Sequence, residues 1–100
     1  MKKNTAMNKE KASKILLEQL EKIKAIPYAQ LVTFVLKDES VSYEVNDGDT
    51  TYEIKLLYYW DSGKPGNIRV IGNINVAGGW SAYRPHSEDF IVRPDGSFIE

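Results

Sequence analysis

From Thr51 to Trp60 the chain reads TYEIKLLYYW. Successive side chains of an extended strand point to opposite sides. Tyr52, Ile54, Leu56, Tyr58 and Trp60 therefore share one side, and Thr51, Glu53, Lys55, Leu57 and Tyr59 share the other. A strand with one wholly apolar side must be sealed by a second layer, so the segment calls for a sheet with something packed on it.

The neighbouring sequence supplies the sheet. VSYEV and TTYEI flank Asn46-Asp47-Gly48-Asp49, a hairpin signal because glycine and its asparagine or aspartate neighbours tolerate positive φ. DSGKPGN is the next turn. NIRVIGNINV follows it, with Ile68, Val70, Ile74 and Val76 on one side and Arg69, Ile71, Asn73 and Asn75 on the other. In DFIVRPDGSFIE, Pro94-Asp95-Gly96 has the proline-early, glycine-late order of a turn.

The covering layer comes from the N-terminal third. Ala12, Ile15, Leu16, Leu20 and Ile23 recur at i, i+3 and i+4, with Leu17 beside them and lysine and glutamate elsewhere, the pattern of an amphipathic helix. In PYAQLVTFVLK, Tyr28, Leu31, Val32, Val35 and Leu36 fall at helical spacing behind Pro27. That favours a second short helix, whereas Phe34 and the β-branched residues favour a strand. The expected fold is a single α+β domain over residues 1–100: one or two N-terminal helices on one face of an antiparallel sheet of four to five strands.

Composition narrows the function classes. With no cysteine, disulfides, thiolate metal sites and cysteine nucleophiles are excluded, and a cytoplasmic home is expected for so small an unstapled domain. The two opening lysines are not followed by an uninterrupted apolar segment, and no apolar run approaches the length of a membrane span. Neither an export signal nor membrane association is expected. Residues 1–37 carry eight lysines and three glutamates, +5, and residues 38–100 carry five basic and eleven acidic side chains, −6. Between Asp38 and Ile54 lie Asp38, Glu39, Glu44, Asp47, Asp49 and Glu53, with no lysine or arginine. Such a segment steers a basic partner, although a solvated basic helix and acidic hairpin fit the same charges. The basic helix offers no arginine for base edges and no aromatic residue for stacking, so specific nucleic-acid recognition is not expected.

The densest collection of reactive side chains is GGWSAYRPHSEDF, Gly78 to Phe90. His86 is the only histidine. Ser81, Ser87 and Asp89 have the atom types of a triad, but sequence neighbours rarely meet in triad geometry and no nucleophile elbow is present. No catalytic residue, metal ligand or cofactor is assigned: NDGD is too short for a calcium loop, and the glycines lack phosphate-loop spacing.

Two expectations of different class follow. The first is a non-enzymatic interaction protein, such as an immunity or inhibitor protein, that engages a basic protein through Asp47, Asp49, Glu53, Lys55, Leu57, Tyr59, Arg69 and Ile71. The same side chains also fit a solvated sheet face with cross-strand pairs, for example Glu53 or Lys55 opposite Arg69 or Asn73. The alternative is a small-molecule pocket, binding or enzymatic, between sheet and helices, lined by Tyr58, Trp60, Trp80, Tyr83, Arg84 and His86. Size and helix-then-hairpin order resemble those of many small bacterial proteins, which by itself assigns no activity.

Overall fold

The computed structural model describes residues 8–38, 40–78 and 85–99. Two helices, α1 (Lys9–Ile23) and α2 (Tyr28–Leu36), precede five strands: β1 (Ser40–Asp47), β2 (Thr50–Gly63), β3 (Gly66–Val76), β4 (His86–Val92) and β5 (Phe98–Ile99). The strands form one antiparallel sheet in the order β1-β2-β3-β4-β5. Both helices pack on the same side, α1 over β3 and β4 and α2 over β2 and β3. This is the α+β arrangement the alternation calls for.

α1 begins where the Asn8 side chain accepts a hydrogen bond from the Lys11 N–H at 3.1 Å, satisfying one donor of the first turn. Its buried residues are Ala12, Ile15, Leu16, Leu20 and Ile23, the stripe read from the spacing. Leu17 is exposed. Gly72 lets this helix close on the sheet. A Cβ there would lie 2.8 Å from Leu16 Cδ1 and 3.2 Å from Leu20 Cδ2, so the two leucines occupy the space that a side chain on β3 would fill.

The segment after Pro27 is helical. Leu31 is fully buried, Phe34 and Val35 are half-buried, and the Phe34 ring lies 5.1 Å from that of Tyr58. Leu36, placed in the inward stripe by the sequence, is 70% exposed. At about 100° per residue it stands some 140° round the helix from Leu31. The Tyr28 hydroxyl donates to the Gly66 carbonyl at 2.7 Å, tying the start of α2 to the β2–β3 turn.

Strand alternation sorts the sheet as expected. Tyr52, Ile54, Leu56, Tyr58, Ile68, Val70, Ile74, Phe90 and Val92 are buried on the helix side. Gly48, at φ +61, makes the first hairpin turn between β1 and β2. In the last turn, Asp95 Oδ1 accepts from the N–H and hydroxyl of Ser97 at 2.9 and 2.6 Å. Those bonds, the hydroxyl's first, hold its carboxyl below the usual aspartate value.

If the α1–Gly72 contact seats the helix layer, Leu16→Ala should cost about 2–5 kcal/mol, and Gly72→Val, which overfills the same space, about 1–3 kcal/mol. Glu18→Lys on the exposed side of α1 should stay within about 0.5 kcal/mol. Thermal melts followed by circular dichroism check this, since each kcal/mol shifts the midpoint of a domain this size by about 4–8 °C.

Candidate functional site

Neither α1 nor α2 packs on the other side of the sheet, where Asn75, opposite Glu53, is nevertheless fully buried. Register places the side chains of this side in rows. Leu57 lies opposite Ile71, which lies opposite Asp89, and the next row runs Tyr59, Arg69, Ile91, Ile99. Tyr59 is 46% exposed, and Leu57, Ile71, Ile91 and Ile99 are half-buried. Five apolar or aromatic side chains thus flank one arginine on a surface that neither α1 nor α2 seals.

Arg69 is fixed in place. A register shift between Trp60 and Ser62 leaves Asp61 without a cross-strand partner, the mark of a bulge that re-aims a side chain. Asp61 Oδ1 accepts from Arg69 Nε at 3.0 Å and Nη2 at 2.8 Å, and Asp89 Oδ2 accepts from Nη1. These bonds, Asp61's first, hold the guanidinium even more firmly protonated than usual. Of the pairings expected for Glu53 or Lys55 with Arg69 or Asn73, Lys55 does lie opposite Asn73, whereas Glu53 lies opposite Asn75 and Tyr59 opposite Arg69. Arg69 takes its carboxylates from the bulge and from β4 instead.

The acidic hairpin does not form one surface. Glu44 and Glu53 are register partners on the open side, and Asp49 is exposed at the turn. Asp47 points to the helix side, where Lys11 Nζ lies 3.2 Å from its carboxylate. The reason is the strand period: Tyr43, Val45 and Asp47 share a side. Of the sequence-derived set, Glu53, Lys55, Leu57, Tyr59, Arg69 and Ile71 therefore share the open side, Asp49 lies at its end, and Asp47 is across the sheet from them.

Of the residues expected to line a pocket between sheet and helices, Tyr58 lines a cavity there. That cavity of about 270 Å³ lies among Ile23, Ile26, Phe34, Val41, Tyr43, Leu56 and Tyr58, with Gln19 and Lys22 at its polar margin. The Tyr43 hydroxyl donates to Gln19 Oε1 at 2.7 Å. Tyr58 joins this cavity, and half-buried Trp60 lies toward the far end of the same strand side. His86 lies opposite Ile74, in the row of Ile54, four strand residues or about 13 Å from the row of Tyr58. Trp80, Tyr83, Arg84 and Ser81 lie outside the described residues. The gap between α1, α2 and β1 has no local sequence signature, which is why Tyr43, Val41 and Ile26 were missed. The alternation in HSEDFIV could have placed Ile91 beside Arg69.

His86 Nε2 lies 2.7 Å from Glu88 Oε2, and the Ser13 hydroxyl donates to the same oxygen at 3.3 Å. A nucleophilic triad needs the imidazole between hydroxyl and carboxylate. Here the carboxylate is in the middle, so the Ser13 hydroxyl meets Glu88 and not the imidazole. Ser87 bonds Asn73, and Asp89 bonds Arg69, both on the opposite side of the sheet from His86. Among the described residues no cluster of three histidine or carboxylate side chains could hold a metal ion, and no helix is long and apolar enough to cross a membrane.

No family model, curated protein or solved structure matches this chain.

The cavity tyrosines give a pH signature. Burial raises both phenols above the ordinary 10.0, and Tyr43 adds a smaller push on Tyr58. Because the folded state holds these protons more tightly than the unfolded state, their contribution to stability is complete below about pH 10 and is lost as pH rises through the folded values. A tyrosinate absorbance titration should show a late component above pH 10. It should shrink in Tyr43→Phe and in Tyr58→Phe and disappear in guanidinium.

Proposed function

We propose that the chain is a non-enzymatic binding protein whose open sheet face and acidic β1–β2 hairpin engage a basic protein partner, as an inhibitor or immunity protein would. One observation carries this reading: the helices cover one side of the sheet only, and the other side presents Leu57, Tyr59, Ile71, Ile91 and Ile99 around Arg69. Aromatic and aliphatic side chains around an arginine make up the composition of interface centres. Glu44, Glu53 and Asp49 add negative charge at one end, while Asp61 and Asp89 neutralise Arg69, so the surface is complementary to a basic protein. The catalytic alternative has little support, because Ser13, Glu88 and His86 stand in the wrong order for nucleophilic catalysis.

The test is photo-crosslinking in cells that express the chain, with a benzophenone amino acid at Tyr59 and, as control, at exposed Thr33 on α2. A discrete adduct to a protein of positive net charge, formed from position 59 and not from 33, supports the reading. Equal or absent adducts at both positions overturn it.

The cavity favours a second reading, a site for a small apolar molecule. An engineered apolar cavity of about 150 Å³ binds benzene, and this one is larger. Indole should then raise the unfolding midpoint of the parent chain but not of Val41→Trp, whose ring would occupy the space. An unchanged midpoint in the parent removes this reading.

A further inference from the structure

The two edges of the sheet are built differently. At the β4 edge, β5 pairs only with Ile91 and Val92, and the remaining residues His86 to Phe90 include an imidazole and two carboxylates. Charged side chains at an edge, one of them turned toward the helix layer, are devices that discourage a further strand. β1 has no lysine, no proline and no shift of register against β2, and its two acids, Glu44 and the inward-turned Asp47, lie in its second half, so Ser40 to Tyr43 carry no charge. Among the described residues no strand pairs with its outer side. It therefore presents a row of backbone donors and acceptors ready to pair.

The cavity lies immediately inside this edge. Val41 and Tyr43 belong to the edge strand and line it, and Val41 is 42% exposed. A strand added to β1 would place alternate side chains on the helix side, beside Val41 and Tyr43, where the cavity offers about 270 Å³ of largely apolar space. The intervening side chains would lie on the open side next to Ser42, Glu44 and Asn46, with Glu53 opposite Glu44 in the next strand.

From this juxtaposition we infer that β1 is a strand-addition site for an extended segment of the partner in which apolar residues alternate with lysine or arginine. The apolar residues face the cavity and the basic ones meet Glu44. The inference rests on the reading of the chain as a binder of a basic protein, and it names the edge and the chemistry that recognise the partner. Backbone pairing supplies affinity in such complexes, and side-chain pockets at alternate positions supply specificity. A second copy of the chain is a poorer occupant. Antiparallel pairing of two β1 strands about their middle brings Glu44 opposite or diagonal to its symmetry mate, and like charges at those positions repel.

The experiment uses an array of fluorescein-labelled octapeptides in which lysine alternates with valine, leucine or phenylalanine. The same compositions in blocked order, and glutamate replacements of lysine, serve as controls. The alternating basic peptides should bind by fluorescence polarisation, the controls should not, and binding should weaken several-fold as salt rises and the Debye length contracts from about 10 Å toward 3 Å. Hydrogen exchange should slow at β1 amides on binding. Val41→Lys and Glu44→Lys, both at exposed positions, should each weaken binding at least tenfold with unchanged melting. Thr33→Ala, at an exposed position of α2, should leave binding unaltered. The proposal falls if no alternating peptide binds, if blocked peptides bind equally, or if the parent dimerises through β1 in sedimentation. It also falls if Tyr59→Glu abolishes binding while Val41→Lys does not, and that result keeps the open-face reading alive. Edge binding together with no crosslink from position 59 would sink the open-face reading alone.

Discussion

The contact on which the rest of the structure depends is the seating of Leu16 and Leu20 over Gly72. A glycine in the middle of a strand loses cross-strand packing and costs backbone entropy. Here the missing side chain lets α1 approach β3 closely, and the same approach commits the helix layer to one side of the sheet. α1 spans roughly 22 Å and α2 roughly 13 Å at 1.5 Å per residue, whereas the fourteen residues of β2 extend for about 46 Å. With α1 over β3 and β4 and α2 tied by Tyr28 to the β2–β3 turn, the helices do not close over the middle of the β1 edge. The cavity beside Val41 and Tyr43 is the space they leave.

Charge is distributed by the same geometry. The basic N-terminal segment and the acidic hairpin are opposite in sign along the chain, and part of that opposition is consumed internally where Lys11 meets Asp47. Exposed pairs of this kind contribute about 0–1 kcal/mol, so their larger effect is on the surface potential. Asp47 is matched to a lysine on the helix side, while Glu44, Glu53 and Lys55 lie on the open side and Asp49 at the turn. Arg69, the central cation there, is matched by Asp61 and Asp89.

Much of this was legible from periodicity. The α1 stripe from Ala12 to Ile23 and the two sides of β2 and β3 follow from spacing alone, because a helix or strand with one apolar side has a single way to bury it. Asp47 was legible as well: the alternation that turns Val45 inward turns Asp47 inward, and only the habit of reading charge as exposure places it elsewhere. The Arg69 clamp was not, since it depends on a bulge at Asp61 and on a carboxylate twenty residues further along, on the next strand. Nor was the cavity, which is a gap between elements whose mutual placement is set by packing. GGWSAYRPHSEDF drew the eye by composition, yet its described part splits across the sheet, with His86 and Glu88 on one side and Ser87 and Asp89 on the other.

The open face and the β1 edge are continuous. Glu44 stands at the outer column of the sheet and Glu53 in the next, and Lys55 and Leu57 follow along β2 toward Tyr59 and Arg69. A strand laid against β1 would extend the open face by one column rather than occupy a separate site. Its basic side chains would lie where the face is negative, and the rest of its parent protein would be held against the apolar rows of β2 and β3. Edge pairing fixes register to a single residue, because a one-residue slip exchanges the two sides of the added strand. That slip would drive its basic residues toward the apolar cavity and its apolar residues onto Glu44, so specificity on this surface resides in the alternation of the partner more than in the identity of any one side chain.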